Sequence, residues 1–471
     1  MSRQAHAMSG NSPHSRDIAY ALHPFTNLRL HESRGPVIVA RGDGVRVYDD
    51  GGKDYIEALS GLWCTSLGFS ETRLADVAAD AMRNLPFYHQ FGHKAHGPGI
   101  DLAEALIGLA ADIGGPGMAK VFFTNSGSEA NDSLLKLVWY YNNALGRPER
   151  KKIISRVKGY HGVTIATASL TALPHVQTGF DLPIDRILHT GCPHHYRFAE
   201  PGESEPEFAG RLAEDLEALI QREGPETIAA FIAEPVMGAG GVIVPPAGYF
   251  PKIQAVLRRY DILFIADEVI CGFHRTGNPF GSQTFDIEPD MISVAKALSS
   301  GYLPIGAAMV SDRIYQAVAD HSDQLGVFGH GFTYSGHPVS AAVALDVLRI
   351  YEERDVAGHV RRVGPHLQQA LGRFRDHPLV GEVRGVGLIG AVELVADKAT
   401  GRAFDPARKV GPHCAARAEA HGMITRAMGD AIAFCPPLVI DESEIDEMMR
   451  RFAAALEETW RMVREQGLAD A

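Results

Sequence analysis

Apolar and polar positions follow two rhythms along the chain. Between Pro36 and Leu59 the runs are short: Val37-Ile38-Val39-Ala40, Val45-Arg46-Val47-Tyr48, the turn Asp49-Asp50-Gly51-Gly52, then Tyr55-Ile56. Alternation bounded by turn residues predicts a small antiparallel meander. Beyond it, apolar runs at Lys120–Thr124, Lys152–Ser155, Ile228–Ala233, Ile262–Ala266, Met291–Val294 and Ala307–Val310 are separated by longer stretches. Runs rich in Val, Ile and Phe suit strands buried on both faces of a parallel sheet. The helices expected between them include Ser128–Asn143, Phe208–Arg222 and Tyr249–Tyr260, which gives an α/β architecture.

After about Gly336 the rhythm changes again. A helix is expected over Pro338–Glu353, then strands at Leu379–Arg384, Leu388–Leu394 and Ala431–Phe434, and a final amphipathic helix over Glu442–Arg464. This reads as a second, smaller α+β unit. The division expected is an N-terminal segment (1–85), a large domain (86–335) and a C-terminal small domain (336–471). Met1–Arg16 reads as a flexible tail, and Pro193–Glu207 as a loop.

Composition narrows the function. The 471 residues are 45% apolar and 22% charged, an ordinary globular balance. A formal charge of −12 with no long basic run disfavours nucleic acid and anionic membranes. No run of about 18 apolar residues and no apolar N-terminal stretch occurs, so the expectation is a cytoplasmic protein without a membrane span. Cys64, Cys192, Cys271, Cys414 and Cys435 lie far apart and read as free thiols.

Three segments carry chemistry, each at the end of an expected strand. In Thr124-Asn125-Ser126-Gly127-Ser128-Glu129-Ala130-Asn131 a strand gives way to a helix start, whose free N–H groups suit an anion. An ordinary N-cap at Ser126 or Ser128 is the plainer reading of that segment alone. In Ile262–Val269 an apolar run meets Asp267 and Glu268; ligands in such sheets sit at strand carboxyl ends. In Met291–Leu298 a lysine, Lys296, follows a buried strand, where apolar surroundings lower an amine's pKa and prepare it to attack an aldehyde. Phosphate, pyridine nitrogen and aldehyde are the three handles of pyridoxal phosphate (PLP). Asp267 would keep the pyridine nitrogen protonated, and Lys296 would hold the aldehyde as an imine.

The chain resembles the class III aminotransferases, in particular the amine:pyruvate (omega) transaminases, over roughly Leu22 to Leu456. The matching stretches are Gly61-Leu62-Trp63-Cys64, Asn125–Asn131, Gly159-Tyr160-His161-Gly162, Ala233-Glu234-Pro235-Val236-Met237-Gly238-Ala239-Gly240-Gly241, Ala266–Val269 and Ala295–Leu298. The resemblance implies PLP fold type I, aspartate aminotransferase-like, with a mainly parallel seven-stranded sheet in the large domain. It implies cofactor contacts from Ser126, Gly127, Ser128, Tyr160, His161, Glu234, Asp267, Val269 and Lys296. Phe332 and Thr333 are implied to reach a partner subunit's phosphate in a homodimer, with a tetramer as the alternative. Leu62, Trp63, Phe91, Tyr160 and Ala239 are implied to form the substrate walls, and Arg426 to pair with an oxo acid's carboxylate. Gly92 and His89 depart from the family's usual residues beside that pocket. The implied reaction is ping-pong transfer from a primary amine, ω-amino acid or diamine to an oxo acid such as pyruvate. A decarboxylase, racemase or aminomutase, or a non-catalytic binding protein, are the alternatives on this fold.

Other motifs carry less. Gly385-Val386-Gly387-Leu388-Ile389-Gly390 has dinucleotide-loop spacing, but a strand rather than a helix follows. Ser293-Val294-Ala295-Lys296 lacks the companion motifs of acylases. Cys192-Pro193-His194-His195 has no second ligand pair at zinc spacing, so no metal is expected there or elsewhere.

Overall fold

A computed structural model describes residues 10–469. Its centre is a seven-stranded sheet. Across the sheet run Lys120–Thr124, Gly306–Val310, Met291–Val294, Leu263–Asp267, Ile228–Ala233, Lys152–Arg156 and Ile187–Thr190. All neighbours pair in parallel except Gly306–Val310, which is antiparallel to both of its neighbours. A parallel return requires a crossover long enough for a helix. The connection from Val294 to Gly306 holds only the short turn Lys296–Ser299, so the chain doubles back. Because that one strand is reversed on both sides, Lys120–Thr124 runs with the other five. Six carboxyl ends therefore share one edge of the sheet.

The six strands read from apolar runs are present within a residue or two of their expected bounds. The resemblance implies seven strands, but the seventh, Ile187–Thr190, was not read from an apolar run. It is a four-residue edge strand with polar His189 and Thr190, too short and too mixed to stand out. Central strands such as Ile228–Ala233 are buried at every position, as a sheet covered on both faces requires. Gly127–Ala144 supplies part of that cover with Leu134, Leu135, Val138 and Tyr141.

The meander forms as Val39–Asp43, Arg46–Asp49 and Asp54–Glu57, and gains a fourth, parallel strand from far along the chain: Met423 pairs with Ile56. A third sheet joins Val380–Val386, Ile389–Leu394, Ala431–Phe434 and Ala427–Met428. The dinucleotide-like glycines lie in its first hairpin. Gly387 has φ +55, and a Cβ there would meet the Arg275 carbonyl oxygen at 2.6 Å. Those glycines thus serve a turn and a close backbone approach.

Two expectations are corrected. Residues 1–9 of the proposed tail lie outside the described residues, but Pro13–Tyr20 is helical, capped by the Ser12 hydroxyl and started by a proline. The stretch Pro193–Glu207 is not all loop. It holds the short helix His195–Phe198, and a capping box between Ser204 and Glu207 starts Glu205–Glu223. Among the described residues no helix is long and apolar enough to cross a membrane.

Phe231 is fully buried, edge-on to Phe264 with ring centroids 5.5 Å apart. Phe231→Ala should cost about 3–5 kcal/mol by leaving a cavity in the sheet. The guanidinium midpoint of the holoenzyme reports it; an unchanged midpoint would show that the sheet is not packed this way.

Candidate active site

Asp267 ends the strand Leu263–Asp267 and is 4% exposed. A buried carboxylate needs donors. Asn131 Nδ2 donates to one of its oxygens at 2.7 Å, and His161 Nδ1 lies 2.8 Å from the same oxygen. The Val269 N–H donates to the other at 3.2 Å. Asn131 Nδ2 also donates to the His161 carbonyl at 2.8 Å, so one amide fixes both acid and imidazole. Glu268 turns the opposite way. It accepts from the N–H groups of Gly281 and Ser282 and from the Ser282 hydroxyl, and burial pushes it up to about 7. The two adjacent acids therefore face different surroundings, and only Asp267 opens on the cavity described below.

The next strand over, Met291–Val294, leads into Lys296. This residue has φ +50, a left-handed conformation that a non-glycine residue holds only when its surroundings impose it. The Tyr351 hydroxyl donates to the Ala297 carbonyl at 2.7 Å, and the Gly301 N–H to the Lys296 carbonyl at 3.3 Å. On the far side of the sheet, Lys120–Thr124 leads into the helix Gly127–Ala144. Ser126 is its N-cap and accepts from the Glu129 N–H at 3.2 Å; Glu129 reaches back to the Asn125 N–H at 2.7 Å. A Cβ on Gly127 would stand 3.0 Å from both Val269 methyls, so the close approach of helix start and strand end needs glycine. Ser128 Oγ accepts from the Val163 N–H at 3.2 Å.

Glu234 follows the strand Ile228–Ala233. Its carboxylate accepts from the N–H groups of Tyr160 at 3.0 Å and Gly238 at 2.9 Å, and burial raises its pKa. Tyr160 is also raised by burial, against the pull of Arg426. The wall opposite is the segment 59–64, where Ser60, Gly61 and Trp63 all have positive φ. It is pinned from below. Glu57 accepts from the Leu59 N–H at 2.9 Å, and the Ser60 hydroxyl donates to the Cys435 carbonyl at 2.6 Å. The buried Arg275 guanidinium donates to the carbonyls of Leu388 at 3.0 Å and Pro436 at 2.6 Å.

These elements enclose a cavity of about 700 Å³. Its lining includes Leu62, Trp63, Ser126, Gly127, Ser128, Tyr160, His161, Glu234, Ala239, Asp267, Val269, Lys296 and Arg426. Three expected residues lie elsewhere. Phe91, read as a substrate wall, is half exposed and faces Gly331, where a Cβ would meet its ring at 2.8 Å. Phe332 packs near His330 and Phe122, with ring centroids 5.5 and 6.4 Å away, and neither it nor Thr333 lines the cavity of this chain. Several lining residues were not named as site residues. Pro24 and Phe25 close one side, and the Arg426 guanidinium stands 5.7 Å from the Phe25 ring centre. Nothing local marks Phe25. Asn131 was legible in principle, since it lies four residues after Gly127 on one helix face.

The class-III aminotransferase family model matches residues 30–456. That match spans most of the chain. The chain belongs to the class III aminotransferases. A chloroplastic gamma-aminobutyrate transaminase of Solanum lycopersicum is 52% identical over 444 residues, covering 94% of this chain and 85% of that protein. Its name places it in a compartment other than the cytoplasm expected from the sequence. The solved omega transaminase from Pseudomonas jessenii in complex with PMP is 58% identical, with a TM-score of 0.94 over 96% of this chain and 99% of that one. A solved transaminase with L-ala is also 58% identical, with a TM-score of 0.88 over 91% of this chain and 100% of that one.

Class III aminotransferases use PLP, and the site fits it. The helix start at Gly127 offers free N–H groups to a phosphate, and the glycine keeps the cradle open. His161 Nε2 and Asn131 Oδ1 are buried without a hydrogen-bond partner among the described residues, so the wall of this class III aminotransferase still has polar capacity beside Asp267.

Glu57 gives the wall a pH dependence. Burial raises its carboxyl to about 8, whereas an unfolded chain releases that proton near the ordinary glutamate value of about 4.3. Its contribution to stability is thus fully present below about pH 4.3 and lost as pH rises through about 8. Glu57→Gln keeps the acceptor for Leu59. It should match wild type near pH 4 and exceed it by a few kcal/mol above pH 8. Thermal unfolding at the two pH values checks this; parallel pH profiles would refute it.

Proposed function

We propose that this class III aminotransferase moves the amino group of a primary amine, ω-amino acid or diamine to an oxo acid, pyruvate foremost, by a ping-pong route. The observation that carries this reading is the convergence of Lys296, Asp267 and the helix start at Gly127 on one cavity. When bound, PLP supplies an aldehyde that takes up the amine and a ring that accepts electron density from the substrate carbon.

In this reading Gly127, Ser126 and Ser128 hold the phosphate. Asp267, oriented by Asn131 and His161, would hold the proton on the pyridine nitrogen. Tyr160, Val269 and Glu234, which line the cavity, would hold the ring. Lys296 holds the aldehyde carbon at rest. Its Nζ, once free, would be the base that takes the proton from the substrate carbon.

Leu62, Trp63 and Ala239 form the apolar side that receives the amine's substituent. Arg426 supplies the fork for an oxo acid's carboxylate. Its position over the Phe25 ring supports a second resting place when an uncharged amine occupies the site. The name of the solved relative with L-ala supports alanine and pyruvate as the acceptor pair. We place Phe91, Phe332 and Thr333 at the neighbouring subunit's site in a homodimer. Their distance from this chain's own cavity and the exposed aromatics Phe87, Tyr88 and Tyr334 around them support that assembly.

A panel of amines offered with pyruvate and with 2-oxoglutarate tests the substrate assignment; alanine formation separates transfer from decarboxylation. Lys296→Ala should lower turnover by about 10²–10⁴-fold or more. Full alanine formation by that variant would overturn the assignment. Arg426→Ala removes a charge-assisted pair of about 1.5–3 kcal/mol. It should therefore depress kcat/KM for pyruvate roughly ten- to hundredfold while sparing an uncharged amine donor. Equal losses on both substrates would refute the carboxylate role.

A further inference from the structure

The segment ahead of the meander carries a cluster that the transamination chemistry does not use. Asp17 lies in the helix Pro13–Tyr20 and His31 in the helix Leu28–Arg34; His23 lies on the connection between them. His23 Nε2 stands 2.8 Å and His31 Nε2 2.9 Å from the same Asp17 oxygen, and His23 Nε2 is 2.9 Å from the other. The two imidazole centres are 4.0 Å apart. The three ligand atoms lie within 4.8 Å of one another.

We propose that Asp17, His23 and His31 form a binding site for a divalent transition cation of the zinc class. A neutral imidazole presents a bare Nε2 when its proton resides on Nδ1. Both Nε2 atoms here face one Asp17 oxygen at hydrogen-bond distance, and a bound cation would take the place of the protons between them. Ligand atoms around tetrahedral zinc, at bonds of 2.0–2.1 Å, sit roughly 3.3 Å apart. The cluster needs to open by only a few tenths of an ångström to admit the ion. Three protein ligands leave a fourth position for water. Two imidazoles with one carboxylate select zinc, nickel or copper over magnesium and calcium, which take oxygen ligands.

A second grouping, His194 with Glu382 and Glu393, shows what such a site must lack. There Arg384 reaches both carboxylates and Arg197 reaches Glu393, so guanidinium charge already occupies the place of a cation. Asp17, by contrast, is ion-paired among the described residues with the two imidazoles. The spacing Asp17, His23, His31 matches no ligand motif, so only the packing of the two short helices brings the cluster together.

The consequence reaches the active site. Residues 21–27 connect the two helices and carry Pro24 and Phe25, which close one side of the cavity. An ion held by Asp17, His23 and His31 would tie the two helices and fix Phe25 beside Tyr160, 6.5 Å away, and Arg426.

The test is a calorimetric titration of the full-length, tag-free holoenzyme, dialysed free of metals, with Zn²⁺ and separately with Mg²⁺. One equivalent of Zn²⁺ per chain and no Mg²⁺ uptake is expected. Asp17→Asn and His31→Gln should each weaken Zn²⁺ binding about tenfold or more. Zn²⁺ should slow proteolysis within residues 10–34 of wild type and not of the variants. Equal Zn²⁺ uptake by wild type and both variants, or no uptake by wild type, overturns the proposal. If a variant loses its fold, the Asp17→Glu chain, which keeps the carboxylate, must retain the ion.

Discussion

The architecture around the cavity depends on giving one buried carboxylate its hydrogen-bond partners. Asp267 ends a central strand where the solvent is excluded, and an unpaired charge there is costly by several kcal/mol. Asn131 and His161 offset that cost from two different elements, one a helix that follows the strand Lys120–Thr124, the other the loop after Lys152–Arg156. Each of these groups is placed by a strand end. The requirement to satisfy Asp267 thus ties the order of strands in the sheet to the chemistry at its edge.

The reversal of Gly306–Val310 serves the same arrangement. It lets the chain leave Lys296 by a short turn, without the helix that a parallel crossover needs. Next to the strained Lys296, the Ala297 carbonyl accepts from the Tyr351 hydroxyl, 54 residues further along. The opposite wall is fixed in a comparable way. Segment 59–64 is held by Glu57 and Ser60, and Arg275 binds carbonyls of the later strands. Both walls are therefore set by contacts between distant parts of the chain.

Much of the fold was readable because its signals are local. The apolar runs at Ile228–Ala233 and Met291–Val294, and the periodicity of Pro338–Glu353, arise from burial of consecutive or regularly spaced residues. The edge strand Ile187–Thr190 escaped because it is only four residues long and two of them, His189 and Thr190, are polar. Lys296, Asp267 and Gly127 were readable because each breaks an apolar run at its end. Asn131 was quoted within its motif without its function being seen, since a helical asparagine usually faces water. Phe25 had no local sign at all, and Phe91 was assigned to a wall that this chain's own packing does not give it.

The sequence by itself determined the central strands and long helices, the family and the three residues at the strand ends, because hydrophobic burial and helix starts are written over a few neighbouring positions. Tertiary structure alone decided which acid of the pair Asp267–Glu268 faces the cavity, which way Gly306–Val310 runs, and that Phe25 and the cluster of Asp17, His23 and His31 stand where they do. Those outcomes turn on donors and packing surfaces supplied from elsewhere in the chain. No window of sequence contains both partners of such a contact, so only the folded chain selects among the alternatives.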